Sequence, residues 1–211
     1  DTVIQHKYIA PGWDYICFTD NADLLEKKQV GMWTMRSIQE MNVDPTRLNR
    51  FYKINPHIVL NEYEESLYID ANINIITSLV FDIIKKRREK EKLLLPIHFV
   101  DKCAYDHGAW IIHSHIDITE NVRSFMRIME NNHFPHNYGM TENNIIYRKH
   151  HDPQIINMME EWWMYVLKYC KRDQLSWSYI LWKNNISVES ISFYNARINT
   201  KDFKMIEHKK V

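Results

Sequence analysis

Leu67-Tyr68-Ile69 is a short apolar run that stops at Asp70, and Asn72 supplies a second oxygen donor two residues later. A continuous apolar run with aromatic and β-branched members reads as a strand covered on both faces. Asp70 then falls at the strand's carboxyl end, where open α/β sheets place their ligands. In an extended segment the side chains at i and i+2 point the same way. Asp70 and Asn72 are therefore candidate ligands for one hard divalent cation, Mg2+ or Mn2+. The same tripeptide also makes an ordinary polar turn, because turns are rich in Asp and Asn. Spacing alone leaves both readings open.

Glycine restricts the chemistry further. Gly12, Gly31, Gly108 and Gly139 are the only four, and no two are close. A dinucleotide fingerprint or a P-loop needs clustered glycines to bring backbone N–H groups onto phosphate, so neither is present. A phosphorylated ligand would have to be neutralised by a metal and by cationic side chains. Basic and acidic residues number 27 each, leaving a formal net charge of zero. Nothing here indicates a nucleic-acid footprint or a polybasic membrane anchor. Cys17, Cys103 and Cys170 are odd in number and widely spaced. They fit neither a zinc spacing nor a disulfide framework, which points to a reducing, cytoplasmic location. No apolar run approaches the ~18 residues of a membrane span, and no signal-peptide pattern opens the chain.

The elements that must position such a site alternate between strand and helix. Tyr15–Phe18 reads as a buried strand ending in Thr19-Asp20-Asn21, and Trp33–Ile38 as a short alternating one. Asp44-Pro45 combines an N-cap residue with Pro at the first helical position, predicting a helix to about Ile54. Strands are predicted at Leu67–Ile69, Ile73–Ile76, Leu93–Val100, Asn144–Tyr147 and Ser187–Phe193. Helices are predicted over Thr77–Lys92, Cys103–His113, Thr119–Asn131, Asp152–Tyr169 and Asp173–Trp182. The charge run Lys85–Lys92 is interrupted by acids and reads as a solvated helix end. Ile155, Met158, Met159, Trp162, Trp163 and Val166 form an apolar stripe at helical spacing, which is core. Asp106-His107 reads as helix surface. Alternating strands and helices argue for one α/β domain over residues 1–211, a mostly parallel or mixed sheet flanked by helices.

Several segments together resemble a known pattern. Lys53-Ile54-Asn55-Pro56-His57, then Tyr63, then Leu67–Ile73, is similar to nucleotide-sugar glycosyltransferases of the single-domain, Rossmann-like GT-A fold, in particular retaining families 8 and 32. Four stretches more specifically resemble a glycosyltransferase-like family of plants, bacteria and large DNA viruses. They are Asp14–Asn21, Ile69–Ile73, Thr141–His150 and Arg172–Trp177, in that order, within roughly residues 1–185. The resemblance places a further strand ahead of Asp1. It also departs from the wider fold at Asn72, where Asp is usual.

What the resemblance implies is a metal-dependent transferase that takes a sugar from a UDP-type donor to a glycan or glycoprotein acceptor. Asp70 and Asn72 would hold Mn2+ or Mg2+, with His208 as a third ligand. Arg50 and Lys53 lie three apart on one helix and share a face; Lys53 would meet the donor. Thr19 and Asp20 would touch the nucleotide, while Glu142 and Asn143 would line the sugar pocket. Spacing alone makes Asp173 an N-cap residue. The resemblance makes it the catalytic-site carboxylate, supported by Gln174. Arg148 and His150 are expected either at the acceptor or in a loop salt bridge, and Arg47 in solvent. A different class remains open: a non-catalytic nucleotide-sugar or glycan-binding domain with a degenerate Asp-x-Asn motif.

Overall fold

The computed structural model describes residues 3–206. Strands β1 (Ile16–Thr19), β2 (Gln29–Val30) and β3 (Trp33–Ser37) form a small sheet in the order β1-β3-β2, with α1 (Ala22–Lys27) between its first two strands. Next come helices α2 (Pro45–Ile54) and α3 (Pro56–Val59), strands β4 (Ser66–Ile69) and β5 (Ile73–Ile75), and helix α4 (Leu79–Arg87). Strand β6 (Leu93–Pro96), helices α5 (Ala104–His113) and α6 (Thr119–Asn131), and strand β7 (Ile145–Arg148) follow. The chain closes with α7 (Pro153–Lys168), α8 (Asp173–Lys183), α9 (Val188–Ile191), β8 (Ser192–Phe193) and β9 (Phe203–Met205).

The central sheet has the order β4-β7-β6-β8. Strand β7 runs antiparallel to both β4 and β6, whereas β6 and β8 are parallel. Three of its four strands thus share a direction, and one reversed strand in the middle makes two of the three pairings antiparallel. The architecture is α/β with mixed sheets, and the expectation of a mostly parallel sheet is not met. Apolar runs locate strands but carry no information on direction, which the connections decide. This arrangement matters for function. The carboxyl ends of β4, β6 and β8 and the amino end of β7 all meet at one edge of the sheet.

Local chemistry explains most boundaries. Asp44 caps α2 through Thr46 and Arg47 N–H, and Asp152 caps α7 through Gln154 and Ile155 N–H, each with Pro in the first turn. Helix α4 stops at Arg87, before the charge run ends. Strand β6 stops at Pro96; Ile97 keeps one bridge to Thr141, and residues 98–100 leave the sheet. The predicted strand Ser187–Phe193 is mostly helix α9, because the Ser187 side chain accepts from Ser190 N–H and caps a turn there. Strand β1 is only half-buried, as suits a small three-stranded sheet, and β4 is half-buried at the edge of its own.

Three buried clusters hold these layers. In one, Trp162 of α7 and Trp177 of α8 lie with ring centroids 4.3 Å apart among Ile54, Ile146 and Ile180. The apolar stripe of α7 is core, as expected, at Ile155, Met158, Met159, Trp162 and Val166, which are buried, whereas Trp163 is partly buried at the cluster's edge. Phe18 of β1 reaches Tyr52 of α2 at 4.8 Å, joining the small sheet to the helix that bears Arg50 and Lys53. Among the described residues no helix is long and apolar enough to cross a membrane. All three cysteines are unpaired.

Candidate functional site

Asp173 is the centre of charge. It opens α8 but does not cap it: Arg172 is the N-cap residue, and the Asp173 side chain turns into the protein. Its carboxylate is 3% exposed and meets Lys53 Nζ at 2.6 Å and Arg50 Nε at 3.5 Å. Burial alone would raise the carboxyl pKa. Lys53, Arg50 and, more weakly, Arg172 overcome that and hold it at about 2, so Asp173 is ionised at neutral pH. The same field holds the Arg50 pKa above its usual value, chiefly through Asp173. The Asp173 carbonyl accepts from Trp162 Nε1 at 2.9 Å, which ties the start of α8 to the core stripe of α7.

Tyr68 links this centre to Asp70. Its hydroxyl donates to Asp70 Oδ1 at 2.8 Å, and the Lys53 ammonium lies 5.2 Å from its ring centroid. Burial, followed by Asp70, pushes the Tyr68 phenol well above its normal pKa, so it remains a donor. The expected extended geometry of Asp70-Ala71-Asn72 is not what forms. Ile73 N–H donates to Asp70 O at 2.9 Å and closes a turn through Ala71 and Asn72. The i, i+2 argument for a shared direction of Asp70 and Asn72 therefore lapses. The short Asp-Ala-Asn link lets the chain bend between β4 and β5, a preference that competes with extension. His208, the third expected ligand, lies outside the described residues.

The segment before β7 lies beside Asp70, whose N–H donates to Asn144 O at 2.8 Å. Thr141 to Asn144 are all buried. Thr141 Oγ1 donates to Asn143 Oδ1 at 2.6 Å, but Asn143 Nδ2 and both polar atoms of the Asn144 amide have no partner among the described residues. Buried amides are normally satisfied, so these unpaired atoms make the segment a candidate contact for a polar ligand. Sequence reading named Glu142 and Asn143 but missed Asn144, because it looked like the first residue of a strand. Gln174 is buried next to Asp173 in α8.

Glu142 belongs to an adjoining cluster. Arg197 Nε donates to Glu142 Oε1, and His98 Nε2 lies 3.2 Å from Oε2. His98 Nε2 is also 3.8 Å from Asp101 Oδ2, which pairs with His107 Nδ1 at 2.6 Å. His107 is buried rather than on the helix surface expected for it. His98, Asp101 and His107 are close enough together to hold a metal ion. The hydrogen bonds of His98 oppose it: Nδ1 accepts from Val100 N–H at 3.3 Å and Asp101 N–H at 2.8 Å. That places the proton of the neutral ring on Nε2, the atom a metal would need, whereas metal-bound histidines donate from the other nitrogen. Burial lowers the pKa of both histidines, favouring the neutral rings. The group lies against Glu142 through His98.

Other expected residues fall elsewhere. The Thr19 hydroxyl accepts from Asn21 N–H at 3.1 Å and Asp20 is exposed; neither touches the Asp173 centre. Arg148 and His150 are buried, 1% and 0% exposed, and among the described residues neither forms a salt bridge. Arg47 is not free in solvent: it pairs with Asp44 at 2.6 Å and donates to the Val166 and Tyr169 carbonyls. One surface hollow of about 600 Å3 contains Glu65, Arg88, Lys92's partner Asp152 and His151, but none of these site residues. Two ion pairs lie at its wall, Arg88–Glu65 at 2.7 Å and Lys92–Asp152 at 2.6 Å. Comparison with protein-family models, with curated proteins and with solved structures finds no match for this chain.

Proposed function

We propose that this chain is a metal-dependent glycosyltransferase that moves a sugar from a UDP-type nucleotide donor to a glycan or glycoprotein acceptor. The observation that supports this best is the ionised, buried Asp173 between Lys53 and Arg50, together with the unpaired amides of Asn143 and Asn144 in the segment whose backbone meets Asp70. Sugar transfer from a nucleotide diphosphate leaves negative charge on the departing diphosphate. Preorganised cations stabilise such charge strongly in a site that excludes water. Arg50 and Lys53 are the cations for that task, and the amides of Asn143, Asn144 and Gln174 suit sugar hydroxyls, which both donate and accept. Asp173 would face the sugar, held by Lys53. The retaining outcome is taken from the resemblance to families 8 and 32.

A divalent cation fits the chemistry of the Asp70 carboxylate. Asp70 is half-buried, and Tyr68 occupies Oδ1 only, leaving Oδ2 without a protein partner among the described residues. Asn72 offers a neutral oxygen in the adjoining turn. Mn2+ or Mg2+ bound there would neutralise diphosphate oxygens as a Lewis acid. Orienting the donor and excluding water fall to the protein's own side chains. Asn72 favours one competing reading, a non-catalytic nucleotide-sugar- or glycan-binding domain with a degenerate motif, since it leaves Asp70 as the single carboxylate there. Release of UDP from a panel of UDP-sugars in Mn2+ separates the two. Turnover that Asp173→Asn abolishes supports transfer, whereas donor binding without any release favours the binding domain. If no donor is bound or cleaved, both readings fail.

A further inference from the structure

Arg148 ends β7 with 1% of its surface exposed. Among the described residues it forms no ion pair. A buried charge without a counter-ion is strongly unfavourable unless its hydrogen bonds are well satisfied, and burial brings the Arg148 pKa down to about 9. The guanidinium remains charged at neutral pH and has three contacts. Nη2 donates to the Lys53 carbonyl at 2.6 Å, Nε to Ser66 Oγ at 3.4 Å, and Nη1 lies 3.3 Å from Met159 Sδ.

The first contact explains why a cation is tolerated there. Lys53 O is among the last four carbonyls of α2, which lack partners within the helix and form the negative end of its dipole. The residue whose carbonyl Arg148 holds is the one whose ammonium pairs with Asp173. Lys53 is therefore fixed at both ends, with its backbone held from β7 and its side chain from α8. Arg50 lies three residues earlier on the same helix and moves with it. We propose that Arg148 is a positioning residue. By anchoring the Lys53 carbonyl it sets the placement of Lys53 and Arg50 against Asp173, and so keeps the anion-recognising pair assembled. The importance of that pair for activity rests on the sugar-transfer reading, but the contact is testable without it.

The test is the rate of reductive methylation of Lys53 by formaldehyde and borohydride, read by peptide mass mapping on the ligand-free protein. Lys53 Nζ is shielded, its side chain 3% exposed, so it reacts only when displaced. Arg148→Gln removes both the charge and the planar fork, while Arg148→Lys keeps a single point charge. The expected result is Lys53 labelling about tenfold faster in Arg148→Gln, a shift of about 1.4 kcal/mol in the displaced population, with Arg148→Lys in between. Surface lysines should react at the wild-type rate. Met129→Ala, in a core cluster that excludes α2, controls for general loss of stability and should leave Lys53 protected at a matched distance below its melting temperature. Wild-type labelling in Arg148→Gln, or labelling equal to that of Met129→Ala, overturns the proposal. Failure of both Arg148 variants to fold also overturns it, making Arg148 a structural residue only. No nucleotide enters the assay, so its outcome is independent of whether the chain transfers sugars.

Discussion

Replacing Lys53 with Met removes the nearest cation from a carboxylate that is 3% exposed, while keeping a side chain of similar reach. In the wild type the Asp173 carboxyl is held at about 2, against an ordinary 3.8. That depression corresponds to about 2 kcal/mol of stability at neutral pH. Because the folded-state pKa is the lower one, this contribution is present above pH 4 and disappears as the pH falls toward 2. In Lys53→Met only Arg50, at 3.5 Å, remains in contact. An incompletely paired buried charge of this kind is expected to cost about 3 kcal/mol at pH 7, near the lower end for broken buried pairs. The sign of the pH dependence should also change. With its main partner gone, burial raises the Asp173 pKa above that of the unfolded chain. Protonation then favours the folded state, and the deficit shrinks as the pH is lowered from 7 to about 4. Urea unfolding of wild type and variant across that range measures both effects. Adding Asp173→Asn to Lys53→Met should recover much of the loss, a coupling expected of two groups in contact. A deficit under about 1 kcal/mol that does not vary with pH would refute the reasoning.

Arg47→Ala removes two hydrogen bonds that tie the start of α2 to the end of α7 and the ion pair with Asp44. It should destabilise by about 2 kcal/mol in urea unfolding; a neutral result would return Arg47 to the solvent-exposed role its sequence position suggested. Gly108→Ala sets a helix gain of about 1 kcal/mol against a Cβ that would stand 2.8 Å from Met126 Sδ and 3.4 Å from Leu175 Cδ1. Met126 packs against a buried cluster, so displacing it outweighs the helix gain and a net loss of about 1 kcal/mol is expected; a raised melting temperature would show the α5–α6 contact to be looser than described.

Most element positions could be read from local signals. The Asp-Pro pairs at 44–45 and 152–153 placed α2 and α7, and helical periodicity identified the buried face of α7. Those signals are local, so they survive folding. Strand direction is not local, and the reversal of β7 between β4 and β6 left no trace in composition. The turn at Ala71-Asn72 was one of two readings that spacing allowed, and a hydrogen bond from Ile73 to Asp70 settles it. In the candidate site, Arg50, Lys53 and Asp173 converge although about 120 residues separate the helix from its carboxylate. The burial of Arg148, His107 and Asn144 was not legible. A charged or amide side chain reads as surface until the elements packed over it are known.

The central claim is that Asp70 and the Lys53–Asp173 centre form a metal–diphosphate site. Isothermal titration of UDP, with and without Mn2+, into the wild type and Asp70→Ala tests it most directly. Asp70 is half-buried and its one contact among the described side chains is the Tyr68 hydroxyl, so the variant should fold. The account predicts UDP binding that depends on Mn2+ in the wild type and is lost in Asp70→Ala. Equal Mn2+-dependent binding by both proteins, or none by the wild type, would contradict it.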